Sequence, residues 1–406
     1  MAHKDGQPVL VPFTLPGEEI SADLVPAGKH AFRAQDVAWL TESLDRAVPP
    51  CPYFGVCGGC GLQHMNDTAY TQFKKAQVEK AFQKFKLDTS CLEDVHKVPP
   101  GHRRRINFRA VKEGGTVSLG FHQRRSHKVT NIDHCLLLLP SLNALIHPLK
   151  EVLNTVLKDQ EKAHIFLTTV KEGMDALFVF SEGHVLNATV KSLLTDWAKE
   201  HGVVRVLLQA QKKEELLYQH KTPHVAFGGH DALFPVQAFL QPSEAGEQQI
   251  WAWVEQHLPK RTKYIADLFC GLGTFTFPLS EHGAVDGFEG HHKAVQYLNL
   301  SADQQRTKHP VQGTQRDLFL YPLSPNELNA YDMVFLDPPR AGASNQVKKI
   351  AKSTVPFVVM VSCSKDSFAR DAAHLLEGGY KMDKTYLLDQ FVWSPHLELI
   401  SFFSRP

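Results

Sequence analysis

The chain has 406 residues, 43% of them hydrophobic and 21% charged, so it is long enough for two or three domains that each bury a core. Its 44 lysines and arginines are balanced by 43 aspartates and glutamates, which excludes a polycation that binds nucleic acid through overall charge. The polar N-terminus and the shortness of every apolar run predict neither a signal peptide nor a membrane span, and we expect a cytoplasmic monomer. Seven cysteines, odd in number and unevenly spaced, favour metal or catalytic roles over disulfides.

The first segment, residues 1–48, predicts a small β-module. Short apolar runs such as Val9-Leu10-Val11 alternate with turn signals such as Leu15-Pro16-Gly17. So few residues form only a small or incomplete β-structure.

A cysteine cluster opens the second segment, residues 49–91. Cys51, Cys57 and Cys60 lie within ten residues, joined by glycines that let the backbone wrap closely round a metal centre. A fourth ligand is needed, and the spacing fits either an iron–sulfur cluster or zinc, with His64 completing a Cys3His set. Residues 68–86 then repeat apolar positions at helical spacing among lysines, which predicts an amphipathic helix with a basic, solvated face.

The third segment, residues 92–235, alternates strand-like and helical stretches and predicts a central α+β domain. Two basic clusters, His102-Arg-Arg-Arg105 with Arg109 and Arg124-Arg-Ser-His-Lys128, suit a surface that grips phosphates, although solvated strand ends give the same pattern. Cys135 is either a single buried cysteine or the missing fourth thiolate.

The last segment, residues 236–406, follows a strict β/α alternation after a helix over residues 244–257. This pattern predicts a parallel sheet flanked by helices, with ligands at the carboxyl ends of its strands. The predicted strands cover residues 264–269, 284–289, 333–336, 357–361, 386–388 and 398–402.

Acidic residues follow several of these strands. The turn Asp267-Leu-Phe-Cys-Gly-Leu-Gly273 lets the backbone bend under a nucleotide-like ligand, and Glu289 is placed to accept hydrogen bonds from ribose hydroxyls, a surface carboxylate being the alternative. Asp317 and Asp337-Pro-Pro-Arg340 are the next acidic candidates along the chain. For Asp337-Pro-Pro-Arg340 a plain turn without a ligand is the alternative interpretation. This order suits S-adenosylmethionine better than NAD, whose fingerprint is Gly-x-Gly-x-x-Gly.

Two further residues are candidates for chemistry. Cys363 follows a buried apolar strand and precedes a polar helix start, a position that favours a nucleophilic thiolate, although a lone cysteine there is also a common core residue. Glu398 opens the last apolar stretch, which predicts a partly buried carboxylate with a raised pKa or, alternatively, a surface residue on an edge strand.

Five ordered motifs, which run from the cysteine cluster to the C-terminus, resemble those of the RNA 5-methyluridine (uracil-5) methyltransferase family. More narrowly, the chain is similar to the iron–sulfur-containing branch that acts on 23S ribosomal RNA. The motifs are Cys51-x5-Cys57-Gly-Gly-Cys60, Asp267-Leu-Phe-Cys-Gly, Asp337-Pro-Pro-Arg340, Val361-Ser-Cys363 with Ala369-Arg-Asp371, and His396-Leu-Glu398.

The resemblance implies an α/β fold in three parts. These are a C-terminal Rossmann-like S-adenosylmethionine methyltransferase domain, a central α+β RNA-binding domain, and a short N-terminal β-module that corresponds to a truncated TRAM barrel. It also implies Cys363 as nucleophile and Glu398 as base. The remaining implied sites are a 4Fe–4S cluster on Cys51, Cys57, Cys60 and Cys135, without His64, and S-adenosylmethionine contacts at Gln241, Phe269, Thr274, Glu289, Asp317 and Asp337.

The chain departs from the family pattern at three points. Ser364-Lys365 stands where the family has Asn-Pro, Pro242-Ser243 ends a motif that usually carries Asn, and Thr274 replaces another Asn. None of these changes removes the implied nucleophile, base or cluster ligands. We therefore expect a 23S ribosomal RNA enzyme, with a transfer RNA uracil-5 methyltransferase or a catalytically weakened RNA-binding homologue as alternatives.

Overall fold

The computed structural model describes residues 2–211 and 213–405. Within them, none of the helices has the length and apolar character needed to cross a membrane. The N-terminal module is a sheet of four strands, ordered β1-β2-β4-β3, in which only β2 and β4 run parallel. Its strands are β1 (Ala2–Lys4), β2 (Gln7–Leu10), β3 (Glu19–Pro26) and β4 (Phe32–Thr41).

The cysteine segment continues into helix α1 (Asp67–Lys84) and strand β5 (Leu92–Lys97). Asn66 caps the helix by accepting a hydrogen bond from the Ala69 amide at 2.9 Å. The expected basic, solvated face is wrong in one respect, because Lys74 is only 1% exposed. Helical spacing assigned Lys74 to the polar side, but this side of α1 is covered by the C-terminal part of the chain.

The central part forms a sheet of seven strands, ordered β12-β11-β10-β9-β6-β7-β8. One face of this sheet packs on α3 and α4 through buried aliphatic and aromatic side chains, which is why β9 alternates buried and more exposed residues. The elements are β6 (Arg105–Glu113), β7 (Thr116–His122), β8 (Val129–Asn131), α2 (Pro140–Asn143), α3 (Ile146–Val156), β9 (Lys162–Val170), β10 (Gly173–Phe180), α4 (Ala188–Glu200), β11 (Val203–Ala210), β12 (Lys213–Gln219) and the separate hairpin β13 (His224–Phe227) and β14 (His230–Leu233).

The C-terminal part forms a sheet of eight strands, ordered β17-β16-β15-β18-β19-β21-β20-β5, with helices on both faces. The strands are apolar because both faces are buried. The elements are α5 (Glu244–His257), β15 (Tyr264–Leu268), α6 (Thr276–Leu279), β16 (Ala284–Glu289), α7 (His292–Gln304), β17 (Val311–Gln315), α8 (Pro325–Leu328), β18 (Met333–Leu336), α9 (Ser344–Ile350), β19 (Phe357–Ser362), α10 (Lys365–Glu377), β20 (Lys381–Asp389) and β21 (Glu398–Ser404).

This sheet differs from the expected parallel one. Its first five strands are parallel, but β21 runs antiparallel to both β19 and β20. Strand β5, which lies inside the segment assigned to the central domain, pairs in parallel with β20 at the far edge. An apolar run predicts a strand but carries no information about its direction or its partner, so both features required the tertiary structure.

Candidate active site

Cys363 lies at the carboxyl end of β19, directly before α10. The next residue, Ser364, caps this helix by accepting a hydrogen bond from the Ser367 amide at 3.4 Å. The half-buried thiol therefore sits at a helix N-terminus, as the sequence predicted. It opens into a small cleft of about 40 Å³ that is also lined by Arg340, Lys365 and His396.

The antiparallel pairing of β19 with β21 brings Glu398 next to Cys363. The pairing ends with Ser362 opposite Leu399, so the next residues, Cys363 and Glu398, lie near each other, and the charge of the carboxylate raises the pKa of the thiol. The glutamate is 3% exposed, and one of its oxygens, Oε2, has no hydrogen-bond partner within the described chain. A thiol and a buried carboxylate that are far apart in sequence are thus neighbours across two strands.

Asp337 joins this pair from the adjacent strand. It follows β18, which pairs in parallel with β19, so its carboxylate emerges at the same edge of the sheet. Gln241, from the segment before α5, donates from Nε2 to Asp337 Oδ2 at 2.9 Å. Burial raises the pKa of Asp337 to about 7, and the bond from Gln241 partly opposes this.

A residue that the sequence did not single out connects these groups. Gln390, just after β20, donates from Nε2 to Gln241 Oε1 at 2.9 Å and to Glu398 Oε1 at 3.2 Å. A continuous chain of hydrogen bonds therefore runs from Asp337 through both glutamines to Glu398. The only sequence signal was the position of Gln390 at a strand end.

Burial raises the pKa values of the acids in this site. Burial raises the pKa of the Cys363 thiol to about 11, the carboxylates of Glu398 and Asp337 add to this, and Arg340 opposes it. Burial, and then the charge of Asp337, raise the pKa of Glu398 well above its usual range. A cation placed among these groups would favour their ionised forms.

The other residues expected to hold a methyl donor lie along the same edge of the sheet, after β15, β16 and β17. The turn after β15 places Phe269 at φ +64° and Gly273 at φ +95°, where a Cβ would come within 2.6 Å of Leu298. Phe269 contacts the ring of Phe319, with centroids 5.5 Å apart, and Thr274 is half-buried in this turn.

The carboxylates along this edge bind nearby backbone amides. Glu289 accepts from Gly271 at 3.2 Å and from His291 at 2.8 Å, while Asp317 accepts from Phe319 at 2.9 Å. These bonds hold the loops at the carboxyl ends of the strands and leave lone pairs available to a ligand.

The cysteines expected to bind metal line one cavity of about 290 Å³. Cys51, Cys57 and Cys60 come from the cysteine segment and Cys135 from the central domain. Burial raises the pKa of Cys60 to about 12. Among the residues that the structure describes, no three His, Cys, Asp or Glu side chains form a group that could hold a metal ion. His64 does not line the cavity.

The basic clusters are only partly available to a ligand. Arg104 is buried and binds Glu247, whereas Arg105 lies over the ring of Phe239, 5.4 Å from its centroid. Phe239 is 63% exposed although it is only two residues before Gln241. In the second cluster Arg125 and Lys128 are exposed.

Comparison with known proteins adds independent information. A family model described as tRNA (Uracil-5-)-methyltransferase matches residues 66–284 and 295–405. The chain is 34% identical over its full length to an uncharacterized RNA methyltransferase of Mesorhizobium japonicum, of which the match spans 95%. It is 30% identical over 99% of its length to the 23S rRNA (uracil(1939)-C(5))-methyltransferase RlmD of Shewanella amazonensis, of which the match spans 92%.

One solved structure shares the overall fold. The tRNA (uracil-54, C5)-methyltransferase of Pyrococcus abyssi, in complex with S-adenosyl-L-homocysteine, superimposes with a TM-score of 0.73 at 22% identity. The superposition covers 97% of this chain and 95% of that one. The α/β fold class expected from the sequence, with its N-terminal β-module, is confirmed.

Proposed function

The chain belongs to the tRNA (uracil-5-)-methyltransferase family, and we propose that it methylates C5 of a uridine in 23S ribosomal RNA through a covalent bond between Cys363 and C6 of the base. Membership of the family makes it an S-adenosylmethionine-dependent RNA methyltransferase. The ribosomal target and the covalent route are the proposed part.

One observation carries the covalent route: the β19–β21 register sets Cys363 beside Glu398, with Asp337 on the neighbouring strand. C5 of uracil is a weak nucleophile, so addition of a thiolate to C6 is needed to generate an enolate at C5. After methylation, a base must remove the C5 proton. A thiol and a carboxylate side by side at the sheet edge supply these two functions.

The residues at the carboxyl edge of the sheet fit the methyl donor. When bound, S-adenosylmethionine supplies a methyl group on a cationic sulfonium. We assign its binding to the residues that follow β15 to β18 and to the segment before α5, which are Gln241, Phe269, Thr274, Glu289, Asp317 and Asp337. A cation near Asp337 also lowers the pKa of Cys363, because it offsets the carboxylates that raise it.

The protein groups then act in sequence. The Cys363 thiol loses its proton to solvent and the thiolate adds to C6. Glu398 takes the proton from C5 once C5 carries the methyl group, and the C6–S bond breaks to return the thiolate.

Four thiolates are the usual ligand set of an iron–sulfur cluster, and four cysteines line the 290 Å³ cavity, although no three of them in the described chain are grouped closely enough for a single metal ion. We propose that Cys51, Cys57, Cys60 and Cys135 hold a 4Fe–4S cluster, which would join the cysteine segment to the central domain. Anaerobically purified protein should contain iron and acid-labile sulfide, and Cys135→Ser should lose both. Stoichiometric zinc without sulfide would overturn this assignment.

Two observations support an RNA substrate, and the first of them favours ribosomal RNA. The relative that is 30% identical over nearly the whole chain is named as a 23S rRNA enzyme. Arg105 with the exposed Phe239, next to Gln241, offers a cation and an aromatic face for RNA beside the site. Mapping 5-methyluridine in RNA from cells with and without the gene tests the target, and a site lost from transfer RNA instead would contradict it.

Replacement of the nucleophile tests the route. Cys363→Ala should abolish methyl transfer and form no covalent RNA adduct, whereas Glu398→Gln should accumulate a methylated adduct on a denaturing gel. Cys91→Ala, at a half-buried cysteine outside both sites, is the matched control and should retain activity. Full activity of Cys363→Ala would exclude the covalent mechanism.

A further inference from the structure

Gln390 makes an unusual set of bonds for a buried glutamine. It is 6% exposed, yet its amide nitrogen donates only to side chains of the site, Gln241 and Glu398. Its Oε1 has no partner within the described chain. Gln346, a comparably buried glutamine on α9, instead exchanges both of its amide bonds with the backbone of Leu323. Gln346 therefore supports the fold, whereas the bonds of Gln390 are directed to the reacting groups.

The Gln390 amide occupies space that is free because residue 246 is a glycine. A Cβ on Gly246, in the first turn of α5, would lie 2.5 Å from Gln390 Oε1 and 2.9 Å from Ser243 Oγ. Gly246 has ordinary helical geometry, so conformational freedom does not explain the glycine. Its absent side chain leaves the space that the Gln390 carbonyl group occupies.

The backbone beside Gln390 is held independently of its amide. Asp389 binds Lys74 and Tyr70 of α1 through its two carboxylate oxygens, and the amide of Phe391 donates to Asp389 Oδ1 at 3.2 Å. A change of the Gln390 side chain therefore leaves the end of β20 in place. This separates the function of the amide from the stability of the fold.

We propose that Gln390 is a positioning residue that orients Glu398 for removal of the C5 proton, an inference that rests on the proposed function. Its N–H bond occupies Oε1 of Glu398 and fixes the plane of the carboxylate. The free oxygen, Oε2, takes the proton from C5, the C5–H electron pair forms the C5=C6 double bond, and the C6–S bond breaks to release the Cys363 thiolate. Gln390 touches no reacting atom.

The second bond of the same amide links the base to the donor side of the site. Gln241, which accepts it, also donates to Asp337. Gln390 thereby couples the orientation of Glu398 to the group expected beside the sulfonium. A side chain of the same shape without the amide would leave Glu398 and Gln241 in place but would remove the hydrogen bonds that connect them.

The test compares three variants in single-turnover reactions with the RNA substrate and S-adenosylmethionine. Gln390→Met should slow product release by about tenfold to a hundredfold, with a methylated protein–RNA adduct accumulating, because the base is misoriented while the nucleophile is unchanged. Gly246→Ala should give the same adduct, since its Cβ displaces the flexible amide. Gln346→Met, the matched control, should lower stability without accumulating adduct.

The outcomes separate the two proposals. If Glu398→Gln traps the adduct but Gln390→Met and Gly246→Ala turn over at the wild-type rate without it, the role of Gln390 is excluded and the proposed function stands. If Glu398→Gln traps no adduct either, both proposals fall. Affinity for S-adenosylmethionine, measured by calorimetry, should stay within about threefold of wild type in Gln390→Met; a loss comparable to the loss of rate would assign Gln390 to donor binding and overturn its role on the base.

Discussion

At the scale of single residues, opposing effects act on the pKa of the Cys363 thiol. Burial and two carboxylates raise the pKa of its thiol, while Arg340 and the N-terminus of α10 favour the thiolate. In the free protein the raising effects win, and the thiol is protonated near neutral pH. A protonated thiol reacts more slowly with alkylating agents than a thiolate does.

This balance predicts a pH-dependent alkylation rate for Cys363. Below a pKa of about 11 the thiolate fraction, and with it the rate of reaction with iodoacetamide, should rise about tenfold per pH unit. Ionised Glu398 raises the thiol pKa, so Glu398→Gln should lower that pKa and make alkylation faster at alkaline pH, where the wild-type carboxylate carries its charge. Mass spectrometry of the Cys363 peptide measures this rate.

The control is Glu377→Gln, at the far end of α10, which should leave the rate unchanged. Equal rates for wild type and Glu398→Gln at every pH would show that the two side chains do not interact.

At the scale of elements, helix α1 holds the loop that joins β20 to β21. Lys74, whose side chain is fully buried, binds Asp389 at one end of the loop and donates to the carbonyl of His396 at 2.8 Å at the other. Burial lowers the pKa of Lys74 to about 8, and Asp389 opposes this. The loop carries Gln390 and leads into Glu398, so α1 fixes the backbone on which the proposed base depends.

Loss of this buried pair should be costly. Lys74→Met leaves Asp389 with its charge buried and without its cation, so the free energy of unfolding should fall by about 3–5 kcal/mol. Urea denaturation measures the change. Adding Asp389→Asn to Lys74→Met should recover part of the loss, because the uncompensated charge is removed.

The adjacent lysine is the matched control. Lys75 pairs with an exposed Asp94 at 3.0 Å, and Lys75→Met should change stability by no more than about 1 kcal/mol. Equal losses of unfolding free energy in Lys74→Met and Lys75→Met would show that the burial of Lys74 does not account for its contribution to stability.

At the scale of the whole molecule, the central and C-terminal parts are joined by a buried hydrogen bond between side chains as well as by the chain. Arg104, just before β6, binds Glu247 of α5 and donates from Nε to the carbonyl of Gln241 at 3.0 Å. Burial raises the pKa of Glu247 to about 7, against the opposing charge of Arg104. The pair fixes the segment that carries Gln241 between the two sheets.

This raised pKa predicts a pH-dependent stability. The folded protein keeps the proton of Glu247 up to about pH 7, whereas the unfolded chain releases it near the ordinary value of 4.5, so wild type loses stability as the pH rises across that window. Glu247→Gln is neutral throughout. Its stability relative to wild type should therefore increase between these pH values, by about 3 kcal/mol in total.

Thermal unfolding at several pH values measures the difference. Glu244→Gln, at an exposed position of the same turn, is the matched control. The same pH-dependent difference in both variants would contradict the contribution assigned to the buried carboxylate.

The sequence by itself determined the local features of this protein. Apolar runs determined the buried strands around Cys363 and Asp337, glycines determined the turn after β15, and the close spacing of Cys51, Cys57 and Cys60 brings them to one cavity. These features depend on residues close together in the chain, where side-chain periodicity and backbone preference are sufficient.

Only the tertiary structure decided how these pieces meet. The antiparallel direction of β21 sets Glu398 beside Cys363, and β5 joins the far edge of the C-terminal sheet. Lys74 is buried in spite of its place in a basic helical pattern, and Gln390 links Glu398 to Gln241. The physical reason is common to all of them. Strand direction, pairing partner and burial of a charge are set by groups distant in sequence, and a local pattern is compatible with several such arrangements.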